Sequence, residues 1–476
     1  MAAALVAATS ADAQQPFDLD PTFSTTIQQQ YVASVLLVEG NKLIVSGDLL
    51  FSGDDQFSPR TGARLNPDGS RDPAFTTYPE MGGVIKPWND KIYCASTQTV
   101  RRFNMNGSVD PSFIHMNSDP HFSSLQGGDY HVFPDGRVLM SGAHTLNDPT
   151  RGFLGLYNLI WFSNTGYLDT TRIHRKSNGN MFEFEALPDG RFVCSTQGTT
   201  YEGQPVSRVF RIEADGALDP SFSVPLQNWG FTQHFEGLQD QRIMAAGSYR
   251  LESSVDTVCL LRLMPDGGLD PTFTPVSCRA TYLPFSYPYI YDCHILPDGR
   301  MIVAGNFDRV QGVPRGGIAL LDANGILLDD LFADATCGPY TYGGNTYRWI
   351  GGMVPGPEDQ WYIYGAYHGY DDGTTNDIQQ RFVSRLYGLD VGMQERQPIA
   401  FKMYPNPTSI ATTIELEQLP TQGELRLRDA LGRVVQRQRI TDHYTTLALN
   451  GAGSGVYTVE VWDANGRMTT ELLVVE

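Results

Sequence analysis

Two kinds of tight turn alternate along this chain, and no other sequence feature restricts its fold as strongly. The first kind joins an apolar run to a second run that ends in a small residue, as in FPDGRVLMSG (133–142), LPDGRFVCST (187–196) and LPDGRMIVAG (296–305). Weaker copies stand at 38–47, 88–96, 238–247 and 357–365. The second kind is followed by an acidic and aromatic ending: LNPDGSRDPAF (65–75), FNMNGSVDPSF (103–113), IEADGALDPSF (212–222), LMPDGGLDPTF (263–273) and LDANGILLDDLF (321–332). In these turns Pro presets φ, Asp bonds to its own backbone and Gly takes the positive-φ position, so each marks a β-hairpin. The first kind recurs near residues 40, 90, 135, 189, 240, 298 and 359, which makes seven copies. Two hairpins, or four short strands, in each unit of about 50 residues are the signature of a β-propeller blade. The repeat therefore predicts an all-β chain with a seven-bladed propeller over residues 14–390.

The two ends of the repeat fit together. The chain opens on FDLDPTF (17–23), which is the ending of a second-kind turn with no turn before it. The last unit stops near RLYGLD (385–390), where the others go on to that ending. The opening segment is thus expected to complete blade 7 and close the ring. Composition agrees with a strand-and-turn protein: 18 % of residues are charged, with 48 Gly and 29 Pro, which disfavours coiled coils and helical arrays. No apolar run approaches the roughly 18 residues that a membrane-spanning helix needs. A net charge of −19 disfavours nucleic acid and anionic membrane as partners.

At residues 301–332, MIVAGNFDRVQGVPRGGIALLDANGILLDDLF, the unit resembles the delta-60 repeat propeller family, with its G-x-F, G-x-x-R, I-A-x-L-x-x-x-G and D-x-x-F elements. That resemblance implies an extracellular repeat scaffold with no common catalytic residue. After a linker at 391–400 the pattern changes. MYPNP (403–407), LRLRDALGRVV (425–435) and GVYTVEVWDANGRMTTELLVVE (455–476) together resemble the C-terminal sorting domain of the type IX secretion system of Bacteroidetes. Residues 401–476 are expected to form a small Ig-like β-sandwich, with Tyr404, Pro405, Asn406, Pro407, Gly432, Arg433, Gly455 and Tyr457 carrying the sorting motif. The resemblance implies passage through the outer membrane by the type IX machinery, followed by attachment to surface lipopolysaccharide or release. Residues 1–13 end in Ala11-Asp12-Ala13 and read as the remnant of a signal peptide. Of the net charge, −17 lies outside residues 401–476 and −2 within them, so the acidity belongs to the propeller.

Three groups of residues are candidates for chemistry. In shared register before the first-kind turn, blades 3 to 6 carry polar pairs: Asp129 and His131, Glu183 and Glu185, His234 and Glu236, Asp292 and His294. Alternate strand residues point the same way. On inner strands, His131, Glu185, Glu236 and His294 would face one another and could hold a divalent metal, with the other four as a second row; a wet, polar-lined tunnel is the plainer alternative. No firm cofactor is implied. Aromatics crowd blades 6 and 7, and Tyr287, Tyr289, Tyr347, Trp349, Trp361 and Tyr364 are the candidate ligand-binding residues, because Tyr and Trp suit sugar rings and protein hot spots alike. Six cysteines show no zinc spacing; Cys278 and Cys293 flank one connection and could bridge in an oxidising compartment. A secreted or surface binding scaffold, recognising an extracellular glycan or protein, is the leading expectation. A hydrolase or lyase using the His and Glu groups, and a purely structural surface protein, stay open beside it.

Overall fold

The structure, a computed structural model, describes residues 16–388 and 401–476, apart from 56–58, 77–80, 97, 283–286, 329–330, 333–335, 374–375, 417–418, 421–422, 431–432, 450 and 463–467. The signal-peptide remnant, the linker and Gly432 lie outside the described residues. Two compact units divide the chain at Leu389 and Asp390.

Among the described residues the first unit holds seven antiparallel blade sheets in chain order, with three smaller sheets in its connections. Their strands are Ile27–Val38, Lys42–Phe51 and Arg60–Leu65 in blade 1; Ile85–Trp88, Lys91–Ser96 and Thr99–Asn104 in blade 2; Phe122–Val132, Val138–Asp148 and Phe153–Phe162 in blade 3. Blade 4 has Met181–Ala186, Phe192–Thr196 and Val209–Ile212; blade 5 has Leu226–Gly237, Ile243–Leu251 and Thr257–Leu263. Blade 6 has Ile290–Ile295, Met301–Gly305, Ile318–Leu321 and Leu327–Leu328; blade 7 has Trp349–Pro355, Trp361–Asp371 and Asn376–Leu386. The first strands of successive blades adjoin one another at six seams, and Lys86 joins those of blades 2 and 3, so these are the inner strands. Among the described residues the expected fourth strand is formed only in blade 6, as the two residues Leu327–Leu328. In blades 1 to 5 it shrinks to a single bridge: Leu65 with Arg71, Phe103 with Val109, Phe162 with Leu168, Ile212 with Leu218 and Leu263 with Leu269. The cause in blades 1, 2, 4 and 5 is the Asp-Pro that follows at once, since proline has no N–H to extend a ladder.

That Asp-Pro ending has another use. Asp72, Asp110, Asp219 and Asp270 each accept the backbone N–H two residues on through Oδ1. Through Oδ2 each binds an arginine eight residues earlier, Arg64, Arg102, Arg211 or Arg262, at 2.7–2.9 Å. The same guanidinium lies over the ring of the ending phenylalanine, 4.6–5.2 Å from the centroids of Phe75, Phe113, Phe222 and Phe273. It also donates to a carbonyl in the next blade's second-kind turn: Met105, Asn164, Pro265 or Ala323. The turn glycine is required by this contact. A Cβ on Gly107, at φ 85°, would stand 2.1 Å from the Thr76 carbonyl and 2.8 Å from Phe75. Each latch thus ties one blade to the turn of its successor. In blade 3 the arginine's place is taken by Trp161, and Arg175 supplies the bond to the Asp215 carbonyl of blade 4 instead.

Ring closure uses the same device. Leu19 bridges to Leu386, and Asp20 binds Arg385 at 2.8 Å. Arg385 lies over Phe23 and donates to the Pro67 carbonyl of blade 1. Phe17 packs on Phe332 and Trp361, so the opening segment completes blade 7 as the repeat predicted.

The second unit is a two-layer β-sandwich. Phe401–Tyr404, Ala411–Leu416 and Tyr444–Ala448 form one sheet; Glu424–Arg428, Val434–Arg439, Gly455–Trp462 and Met468–Val475 form the other. Ile414, Leu416 and Leu447 from the first sheet share a core with Leu425, Leu427, Val459, Val461 and Leu473 from the second. All six cysteines are buried and unbridged. Cys278 pairs with Val310 in a small separate sheet while Cys293 sits on the inner strand of blade 6, so the bridge considered between them is not formed.

Candidate functional site

The inner strands carry the candidate residues in a common register, fixed by their pairing with the second strand of each blade. His131 stands opposite Leu139, Glu185 opposite Val193, Glu236 opposite Met244 and His294 opposite Ile302. Two of the four are seen against an aromatic ring of the next blade. His131 meets Phe192 of blade 4 edge-on at 5.3 Å, and His294 meets Trp361 of blade 7 at 4.5 Å. Glu185 feels Lys86 of blade 2 and Asp129 of blade 3 before His234 and Glu236 of blade 5. Among the described residues no group of three or more His, Cys, Asp or Glu side chains is placed to hold a metal ion.

What the seams hold is a relay of polar contacts from blade to blade. The Lys86 ammonium of blade 2 lies 3.3 Å from Asp129 Oδ1 of blade 3 and also donates to the Tyr130 carbonyl. His234 Nε2 of blade 5 stands 3.9 Å from both Glu236 and Asp292 of blade 6, and Asp292 accepts the Met353 N–H of blade 7 at 2.8 Å. Burial alone would depress the Lys86 pKa, yet the carboxylates of Asp129, Glu185 and Glu183 outweigh it and raise it. Glu183 and Glu185 are pushed up, first by burial and then by neighbouring carboxylates, against the pull of Lys86. Burial, with Lys86 nearby, lowers His131 to about 4. Sequence reasoning missed Lys86. It occupies the register of His131, opposite Tyr93, but the short strand and degenerate turn of blade 2 hide that alignment.

One level toward the start of the inner strands lies a different surface. Tyr31, Phe231 and Trp349 share one register position, opposite Asp48, Ser248 and Ala366. Tyr289 occupies the same place in blade 6, where its carbonyl accepts from Asn306. Ring contacts run without a break from Phe182 to Phe231 (6.4 Å), Tyr289 (6.4 Å), Tyr291 (6.0 Å), Trp349 (5.7 Å) and Tyr31 (6.0 Å). This arc crosses blades 4, 5, 6, 7 and 1, and none of its rings is fully buried. Beside it, Tyr287, 43 % exposed, meets Trp229 at 4.7 Å. Of the six candidate aromatics, Tyr289 and Trp349 belong to the arc and Tyr287 adjoins it. Trp361 is instead a core residue against Phe17 and His294. Tyr347 packs on Tyr340, and Tyr364 lies under Gly351 and Gly352.

In the second unit, the sorting-motif residues tie down the terminal strand. Asn406 donates to the Leu472 carbonyl at 2.7 Å and accepts the Val474 N–H at 2.9 Å, so its amide substitutes for a backbone partner on a sheet edge. Arg433 binds Asp429 at 2.7 Å across the hairpin, and the Tyr457 hydroxyl donates to the Gly453 carbonyl. Tyr404 is 45 % exposed.

Comparison with known proteins agrees with this division. A β-propeller family described as a domain of unknown function (DUF5122) matches residues 41–75, 89–113, 187–222, 238–273 and 296–327, and a secretion system C-terminal sorting domain matches residues 402–476. The chain carries DUF5122 propeller repeats and a secretion sorting domain. It is therefore a secreted or cell-surface propeller, exported by the type IX secretion system, and no described helix is long and apolar enough to cross a membrane. No curated protein matches by sequence. Among solved structures, the chain is similar to PorZ, a bacterial surface component of the type IX secretion system of Porphyromonas gingivalis (11 % identity, 93 % of this chain and 74 % of that one, TM-score 0.30). It is also similar to the extracellular domain of a protein of B. thetaiotaomicron described as a one-component system (10 %, 98 % and 59 %, 0.42), and to puromycin hydrolase (14 %, 86 % and 64 %, 0.45). The chain spans under two thirds of the length of these last two.

Proposed function

We propose that the exported propeller is a non-catalytic scaffold that binds an extracellular glycan on the aromatic arc. The observation that carries this reading is the unbroken series of partly exposed rings on the inner strands of five consecutive blades. Flat apolar faces with polar tips suit the C–H face and hydroxyl edge of a sugar, and a row of them suits an extended chain. In this reading the His and carboxylate groups of the seams pair with one another and order the wall behind the arc.

The test is affinity electrophoresis of the purified protein in gels containing a neutral β-glucan, an α-glucan, a xylan or a mannan. At least one polymer retards the wild type. Trp349→Ala and Tyr289→Ala each weaken that binding about tenfold, a change of about 1.4 kcal/mol. Retardation by none of the four, or an affinity that both substitutions leave intact, removes the reading.

A further inference from the structure

The inner ring is lopsided. At the two positions just before the polar pairs, blade 4 carries Met181-Phe182, blade 5 Thr232-Gln233 and blade 6 Ile290-Tyr291, whereas blades 2 and 3 carry Gly82-Gly83 and Gly127-Gly128. The missing side chains leave a cavity of about 390 Å³ at the seam of blades 2 and 3, which those four glycines line. That volume lies within the roughly 300–1,000 Å³ of small-molecule sites. Three of the glycines are explained by close packing. A Cβ would stand 2.8 Å from Ala95 Cβ at Gly83, 2.8 Å from Gln98 Cα at Gly127 and 2.3 Å from Ser141 Oγ at Gly128. Gly82 is not explained that way, because its nearest atoms are the Ala95 carbonyl at 3.7 Å and Thr61 at 4.0 Å. Room for a side chain exists there, and the space is open all the same.

The walls have two characters. Val100 and Met140 are apolar and buried. Opposite in kind are Gln98, Gln126 and Asp129. The Gln126 amide is fixed by a hydrogen bond from Asn180, and the Asp129 side chain is only 10 % exposed and held by Lys86 at 3.3 Å. An anion would meet the Asp129 carboxylate. A cation would compete with Lys86 for a charge already paired. A neutral polyol with one apolar face satisfies every wall: its C–H face lies on Val100 and Met140, and its vicinal hydroxyls bond the carboxylate and the amides.

We propose that this cavity is a second, separate site, which takes a single pyranose unit of a neutral glycan. It rests on the glycan reading for its ligand class but not on the arc for its binding. The two are therefore separable. Full-length protein is titrated with the methyl pyranosides of glucose, galactose, mannose and N-acetylglucosamine, followed by saturation-transfer NMR and calorimetry. At least one binds the wild type. Gly82→Leu, which fills the cavity, weakens it at least tenfold; Gly82→Ala, whose methyl fits, changes it less than twofold; Trp349→Ala also leaves it within twofold while weakening polymer binding. Should Gly82→Leu fail to fold, Asp129→Asn decides, with the same tenfold loss expected. Binding of no pyranoside to the wild type, or binding that survives the filling substitution or Asp129→Asn, overturns the inference. Neither result touches the arc, whose own failure is read from polymer binding in the Trp349 and Tyr289 variants.

Discussion

Asp219 shows how much a single carboxylate does in this repeat. Its Oδ1 accepts the Ser221 N–H and hydroxyl, while Oδ2 takes Arg211 at 2.7 Å and Arg191 at 2.9 Å. Burial alone would raise its pKa, but the Ser221 and Arg211 bonds outweigh burial and hold the carboxyl at about 2. A carboxyl depressed below its unfolded value of about 3.9 contributes stability that is present in full above that pH and lost as pH falls toward 2. Asp219→Asn leaves the Arg211 guanidinium buried without its counter-charge, a change that costs about 3–5 kcal/mol. Denaturant unfolding at pH 7 should show that loss, and the gap from wild type should narrow steadily below pH 4 as the wild-type carboxyl itself takes up a proton. A variant as stable as wild type at pH 7, or a gap unchanged down to pH 2, would mean that the latch does not hold the seam. The arginine was readable in principle. An arginine stands eight residues before the aspartate in four units, but the eye is drawn to the Asp-Pro turn, and nothing in a linear pattern says that the partner guanidinium also spans to the next blade.

At the scale of elements, the segment Phe17–Phe23 is the one strand-like piece that the chain must bring from its far end. Phe17 and Phe23 are both buried, and Asp20 supplies the closing latch to Arg385. Substituting Phe→Ala at a buried site costs about 3–5 kcal/mol, and deleting the segment also leaves the Asn376–Leu386 edge unpaired, an invitation to association. Removal of residues 16–23 should lower the melting temperature and drive the protein into larger species by light scattering; an equally stable monomer would refute closure by this segment. The number of blades and this closure were legible because turn residues are local: Pro, Asp and Gly fix backbone conformation without reference to the rest of the fold. The full fourth strand was not, since its length depends on what the Asp-Pro corner permits. The aromatic candidates divided for a similar reason. Density of Tyr and Trp marks a region, but Trp361 and Trp349 differ only in strand position, and that difference sends one into the core and the other to the arc. The proposed metal residues share a register, as read, but a shared register alone does not bring ligand atoms together, and among the described residues no three His, Cys, Asp or Glu are placed to hold a metal ion.

For the molecule as a whole, the division of labour follows from where the cores close. The sorting unit buries its own apolar residues between two sheets, and the propeller closes its ring through Leu19, Asp20 and Arg385. Export and binding should therefore separate cleanly. In a type IX-competent host, a chain ending at residue 400 should fold, resist protease and stay behind in the periplasm, while the full chain reaches the surface or the medium. Asn406→Ala poses the finer question. It removes both bonds to the Leu472–Val474 edge but leaves the sandwich core in place. If the machinery reads a tied terminal strand, this variant is exported poorly although the propeller it carries is native. Cell fractionation with a fold-dependent probe of the propeller distinguishes the outcomes. Normal secretion of the truncated chain would dismiss the sorting role of residues 401–476, whereas normal secretion of the Asn406 variant alone would dismiss only the tied strand as the feature recognised.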